Sequence, residues 1–227
     1  MKDVFVNLIK LALSILIVLF VETYFYKLLG LIGIHLAKSA IITLIIYIIE
    51  FILIYIIYGR EISSAFSKYQ NKFGNNVLYT IISYIVIFIA MMITNYILKI
   101  IANNINLPYH GLNFTNIFDK TFNFDFIVTF LINIIIIPFV KVAIFVLGIN
   151  NLIKGKSGIF FSGFIYALYE AFLIGGTFGN VFIDVIDEFV LFTLLSFIYR
   201  KNSNIAFSII TFIFYELFSA LLITKLF

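Results

Sequence analysis

Eight ionisable residues stand inside runs of apolar sequence: Glu22, Glu50, Lys141, Glu170, Asp184, Asp187, Glu188 and Glu216. A charge at mid-bilayer costs roughly 2.5–3.5 kcal/mol even on a lenient insertion scale, so such side chains are paired, face a cavity or do chemistry. Asp184, Asp187 and Glu188 are spaced i, i+3, i+4 and share one helical face. Gly163, Ala167 and Ala171 form a ridge of small residues at four-residue spacing. Such a ridge lets membrane helices approach closely, and it directs the neighbouring Glu170 carboxylate into a bundle. Lys141 is a cation well inside an apolar run, three residues after Pro138, where a kink frees backbone carbonyls.

The chemistry open to this set is narrow. A catalytic zinc site wants three protein ligands, usually with histidine among them. The two histidines, His35 and His110, lie outside the late apolar runs; His35 reads as an interfacial residue and His110 as a loop residue. A serine–histidine dyad fails for the same reason. Cysteine is absent, which removes disulfides, thiolate metal sites and a cysteine nucleophile. Carboxylates alone can hold hard cations. The plainer reading of Asp184, beside the Gly176–Asn180 turn, is a hydrated residue at the membrane surface; Asp187 and Glu188 stay open between the two.

The elements that must position these residues follow from composition. The 227 residues are 63% apolar and 11% charged, with a formal charge of +4 and mean hydropathy +1.16. Soluble domains run near 45–50% apolar and about 25% charged. Too little polar surface exists to coat a water-soluble particle, which excludes a soluble enzyme, a secreted disulfide scaffold, a disordered tail and a nucleic-acid binder. The fold expected is all-α: a single domain over residues 1–227, a polytopic transmembrane bundle of seven or eight spans.

The spans read as follows. Leu11–Val21 begins an uncleaved first span, which resumes after Lys27 and ends or kinks at Gly30 and Gly33. Ser39–Tyr58 is about the 20 residues a bilayer core needs. Gly59–Gly74 is polar, with Ile62, Phe66, Tyr69 and Phe73 recurring at helical spacing. It reads either as a short amphipathic helix on the membrane surface or as a solvated loop. Val77–Leu98 is the next span, and Ala102–Asn123 a loop with turns at Leu107-Pro108 and His110-Gly111. Phe126–Ile149, Ile159–Gly175, Val181–Tyr199 and Ile205–Ile223 complete the set, joined by the basic loop Asn150–Ser157, the Gly176–Asn180 turn and the polar turn Arg200–Asn204.

With seven spans, Lys2, Arg60, Lys68, Lys72, Lys154, Lys156, Arg200 and Lys201 fall on one side, and Lys38, Lys99, Lys120 and Lys225 on the other. This excess places the N-terminus in the cytoplasm of what reads as a prokaryotic cell membrane. Tyr58, Tyr79, Tyr96 and Tyr199 stand near span ends, where amphipathic rings settle at the interface.

The stretch from about 126 to 220 resembles the CPBP family (CAAX prenyl protease and bacteriocin-processing proteins, also called Abi), which are intramembrane metallo-endopeptidases. That family reads Pro-x-x-Glu-Glu-x-x-Phe-Arg, then Phe-x-x-x-His, then a basic turn ending in Ser and His-x-x-x-Asn or Asp. This chain has Pro138-Phe-Val-Lys141-Val142-Ala-Ile-Phe145-Val146, then Ser162-Gly-Phe-Ile-Tyr166-Ala-Leu-Tyr-Glu170, then Arg200-Lys-Asn-Ser203 and Thr211-Phe212-Ile-Phe-Tyr215-Glu216. Pro138, Phe145, Tyr166 and the Arg200–Ser203 turn match the frame. Lys141 and Val142 stand where the paired glutamates belong, Val146 where the arginine belongs, and Glu170 at the first histidine. Thr211 and Tyr215 stand at the second histidine and its partner, or Phe212 and Glu216 if the register slips by one. Gly163-Phe-Ile-Tyr166-Ala167-Leu-Tyr-Glu170-Ala171 also resembles the Gly-x-Gly-Phe-Ala-x-x-Glu-Asn segment of PrsW-type membrane proteases, without an acidic pair upstream.

The resemblance implies a protease frame whose metal-holding groups are replaced. An ammonium at Lys141 repels a metal and takes its place among carboxylates, so the pair expected is Lys141 with Glu170, joined by Glu216. The expected protein is then a non-catalytic relative without cofactor: a membrane scaffold, a binder of a membrane or cell-envelope protein or peptide, or a bacteriocin-immunity protein, with the lipid bilayer as its solvent. Two alternatives remain: an active endopeptidase using Glu170, Glu188 and Glu216, with a divalent metal such as zinc or as acid and base groups, and a small-solute or cation carrier.

Overall fold

The computed structural model describes residues 2–21, 40–105, 124–174 and 178–226. The helices are α1 (Lys2–Leu19), α2 (Ala40–Gln70), α3 (Phe73–Asn104), a composite α4 over 124–152, α5 (Lys156–Ile174), α6 (Phe178–Asn202) and α7 (Ile205–Leu226). No strand occurs among the described residues. Glu22, Gly30, Gly33, His35, the turns at Pro108 and His110, and Gly176 lie outside them, as does the side chain of Asp184.

Among the described residues, four stretches are long and apolar enough to cross a membrane: Ile41–Gln70, Phe73–Asn104, Asp125–Leu152 and Lys156–Ile174; Ile205–Leu221 is a shorter apolar helix. Their outward faces are apolar too. Along α2, Ile41, Ile45, Ile48, Ile52 and Ile56 recur at three- and four-residue steps and are all exposed. In water such a stripe is an aggregation surface; in a bilayer it is the lipid contact. The chain is a helical membrane protein.

Helix α4 is the central post. Val142, Ala143, Ile144, Phe145 and Val146 are each 0% exposed, so every side of this stretch is covered by protein. Phe51 of α2 packs on Phe139 at 4.7 Å between ring centroids, and Phe145 meets Phe192 of α6 edge-on at 6.2 Å. Among the described helices, α5 and α6 pack against each other most extensively. A Cβ on Gly163 would run into the Thr193 hydroxyl and the Phe189 carbonyl, so only glycine permits this approach.

Residues 59–70 differ from both sequence readings. They are neither a loop nor a separate surface helix but the continuation of α2, which runs 31 residues. At 1.5 Å per residue that is about 46 Å, against a hydrocarbon core of about 30 Å. No proline interrupts it, and Ile62, Ala65 and Tyr69 are buried as the inward stripe carries on. The polar residues on the other face mark an exit from lipid rather than an end of helix. Tyr58, expected at an interface, is therefore buried, 1% exposed.

Several contacts gather helix ends at one end of the bundle. Asn7 Nδ2 donates to the Asn151 carbonyl at 3.2 Å, and Lys10 pairs with Glu61 at 3.1 Å. Asn204 Nδ2 donates to the Ala65 carbonyl at 3.0 Å, and Lys201 lies 5.6 Å from the Tyr79 ring centroid. Arg60, Lys68, Lys72, Lys154, Lys156 and Lys201 are exposed at this basic end.

Candidate functional site

Lys141 is positioned by an irregular helix. Within α4, π-helical turns at Leu131–Ile136 and Val142–Gly148 flank an α-helical segment, Ile137–Lys141. Pro138 has no N–H and sits at the start of that segment; the chain stays helical through it by widening on either side, as π-bulges do. The irregularity expected at Pro138 thus takes the form of wide turns, and Lys141 ends the regular segment between them.

The Lys141 ammonium donates to Glu170 Oε1 at 2.7 Å and to the Tyr166 hydroxyl at 2.9 Å. The same hydroxyl donates to Glu170 Oε1 at 2.5 Å, which closes a three-membered ring of charge-assisted bonds. Tyr166 and Glu170 are four residues apart and so share a face of α5. The Lys141 and Glu170 side chains are each 15% exposed. The Tyr166 ring is clamped, stacked on Phe192 with centroids 3.5 Å apart and met edge-on by Phe145 at 5.0 Å. Ser162 donates its hydroxyl to the Phe145 carbonyl, tying α5 to α4. The phenol is thereby held in one orientation.

Glu188 and Asp187 of α6 and Glu216 of α7 surround this pair. Glu188 lies within Coulombic reach of Glu170, Lys141, Glu216 and Asp187, and Glu216 within reach of Lys141. Asp187 is 2% exposed, while Glu188 and Glu216 are half-buried. Counted at 1.5 Å per residue from Leu152, Lys156, Arg200 and Ile205, the residues Lys141, Glu170, Glu188 and Glu216 stand about 17–21 Å in from the basic end. Four helices thus deliver their charges to one level near mid-bilayer. Pro138, Val142, Phe145, Val146, Tyr166, Thr211 and Tyr215, the other positions of the family frame, are buried around it. The Thr211 hydroxyl has no hydrogen-bond partner among the described residues. Glu50, on α2, is also buried.

Among the described residues the cluster brings together carboxylates, a phenol and an ammonium, and no group of three or more histidines, cysteines or acids there has metal-binding geometry. What the arrangement can do is tie α4 to α5 through a fixed ionic contact in a low-dielectric interior, with the acids of α6 and α7 close by.

A second polar node escaped the sequence reading. Arg200 donates from Nε to Asn150 Oδ1 at 2.5 Å, and from Nη2 to the carbonyls of Asn150 at 2.9 Å and Ile153 at 2.7 Å. Asn150 in turn donates to Ser196 Oγ at 2.7 Å and to the Val146 carbonyl at 2.8 Å. The guanidinium caps the C-terminus of α4, where carbonyls lack intrahelical partners and the helix dipole favours a cation. The sequence places Asn150 in the basic loop Asn150–Ser157 and Arg200 in the polar turn Arg200–Asn204, whereas both are helical. The signal available was an asparagine closing an apolar run and an arginine closing another.

No protein-family model, curated protein or solved structure shows a significant match to the chain.

Proposed function

We propose that this protein is a non-catalytic relative of the CPBP intramembrane proteases, with seven or eight spans and a cytoplasmic N-terminus in a prokaryotic cell membrane. It acts as a scaffold that holds a membrane or cell-envelope partner, or gives immunity to a peptide toxin. The observation that carries the reading is the Lys141–Tyr166–Glu170 contact: an ammonium and its counter-ion stand where the family motifs would put a glutamate and a histidine. The irregular helix around Pro138 and the convergence of α4, α5, α6 and α7 at one depth support it. An ionic contact of this kind locks helices in register.

The deciding experiment measures metal content in the purified protein by mass spectrometry, together with cleavage of a prenylated peptide and a leader peptide. The expected result is substoichiometric zinc and no cleavage. Bound zinc with turnover lost on Glu170→Gln would overturn the reading in favour of an endopeptidase. Solute or cation uptake into proteoliposomes, lost on Glu188→Gln or Glu216→Gln, would overturn it in favour of a carrier.

A further inference from the structure

Between α5 and α6 runs an open apolar groove lined by Phe160, Phe164, Ala167, Ala171, Val185 and Phe189. It is a consequence of the small-residue ridge, since the side chains that would fill it are alanines. Its rim is exposed, with Phe160, Phe164 and Leu168 at 53%, 43% and 55%. Along α5 the lining from Phe160 to Ala171 extends about 16 Å, close to the roughly 15 Å that is half of a hydrocarbon core.

What stands above the groove is charge. Lys156 opens α5, and Phe160, Phe164, Ala167 and Ala171 follow it at i+4, i+8, i+11 and i+15, so all lie on one helical face. Lys154 is two residues earlier, across the turn at Gly155, whose φ of +82° reverses the chain there. Both lysines are exposed, and among the described residues neither has an ion-pair partner. The nearby Arg200 is already spent on the carbonyls of Asn150 and Ile153, and Glu61 is taken by Lys10. The turn therefore presents two exposed ammonium groups at the end of α5 where the lining of the acyl-length apolar groove begins.

We propose that Lys154, Lys156 and the α5–α6 groove form a binding site for one anionic diacyl phospholipid, with its phosphate on the two lysines and an acyl chain in the groove. The argument rests on charge complementarity at the mouth and length match below it, and it is independent of the protease-like reading. Each lysine near an anionic headgroup is worth roughly fivefold in binding, so losing both costs about thirtyfold.

The test is native mass spectrometry of the full chain in detergent, titrated with phosphatidylglycerol, phosphatidylcholine and glycerol phosphate. Phosphatidylglycerol is expected to bind more tightly than phosphatidylcholine, and glycerol phosphate, which lacks the chains, is expected not to compete. The double variant Lys154→Gln, Lys156→Gln should weaken phosphatidylglycerol binding by about thirtyfold, while the equal charge change Lys68→Gln, Lys72→Gln on the α2–α3 turn leaves it unchanged. Ala167→Phe with Ala171→Phe should weaken both lipids; if that variant fails to fold, the two lysine pairs still decide. Equal losses from both lysine pairs, equal binding of the two lipids, or competition by glycerol phosphate would each overturn the site.

Discussion

At the scale of single residues, Lys141 Nζ, the Tyr166 hydroxyl and Glu170 Oε1 lie within 2.9 Å of one another. Removing one partner of a buried pair typically costs about 3–5 kcal/mol. Lys141→Ala and Glu170→Ala should each lower the thermal unfolding midpoint in detergent strongly. The double variant should lose clearly less than the sum; independent, additive losses would mean the two do not act as a pair. Tyr166→Phe keeps the stacked ring and removes the bridging hydroxyl, with an expected loss of about 1.5–3 kcal/mol in the same assay. Lys141 and Glu170 were legible in sequence because a lone cation and an acid beside a small-residue ridge are both costly in lipid. The part played by Tyr166 was not. A tyrosine in an apolar run is ordinary, and only its four-residue spacing from Glu170 hinted that the hydroxyl would be shared. Glu188 and Glu216 could be named as inward charges, but their common depth depends on how far each helix is pushed along its neighbours, which no single run of sequence encodes.

At the scale of elements, the apolar runs gave the helices and misjudged where some end. Residues 59–70 are polar on one face, which in a membrane chain resembles a loop; the inward stripe Ile62, Ala65, Tyr69 shows that the helical period never broke. The wide turns around Pro138 were invisible beforehand because a proline announces irregularity without stating how neighbours absorb it. Close approach of α5 to α6 was readable from the ridge, and it yields a sharp expectation. Gly163→Val should destabilise by about 1–3 kcal/mol through overpacking against Thr193 and Phe189, whereas the same change at the open position Gly74, which has nothing within 4 Å, should not; thermal unfolding of both variants checks this. Near the start of α5, Arg200→Lys retains the charge but loses the fork that reaches Asn150 and Ile153 together. A fall in unfolding midpoint on that replacement would separate geometry from mere positive charge, and no change would reduce the cap to electrostatics.

At the scale of the whole molecule, the basic residues of three turns meet at one end while α3 carries Lys99 toward the other. The chain has no cysteine, so single cysteines report sidedness without background. Lys154→Cys and Lys68→Cys should be labelled by a membrane-impermeant maleimide from one side of intact cells or vesicles only, and Asn103→Cys from the opposite side only; labelling of Lys154→Cys and Asn103→Cys from the same side would contradict the bundle's arrangement. The separation of 29 residues between Lys141 and Glu170 carries a last consequence, one that concerns birth rather than the finished fold. At about 5–20 residues per second, a ribosome needs roughly 1.5–6 s to make the counter-ion after the lysine. During that interval nascent α4 carries its ammonium without the Glu170 carboxylate, and the contact closes only when α5 comes to lie beside it.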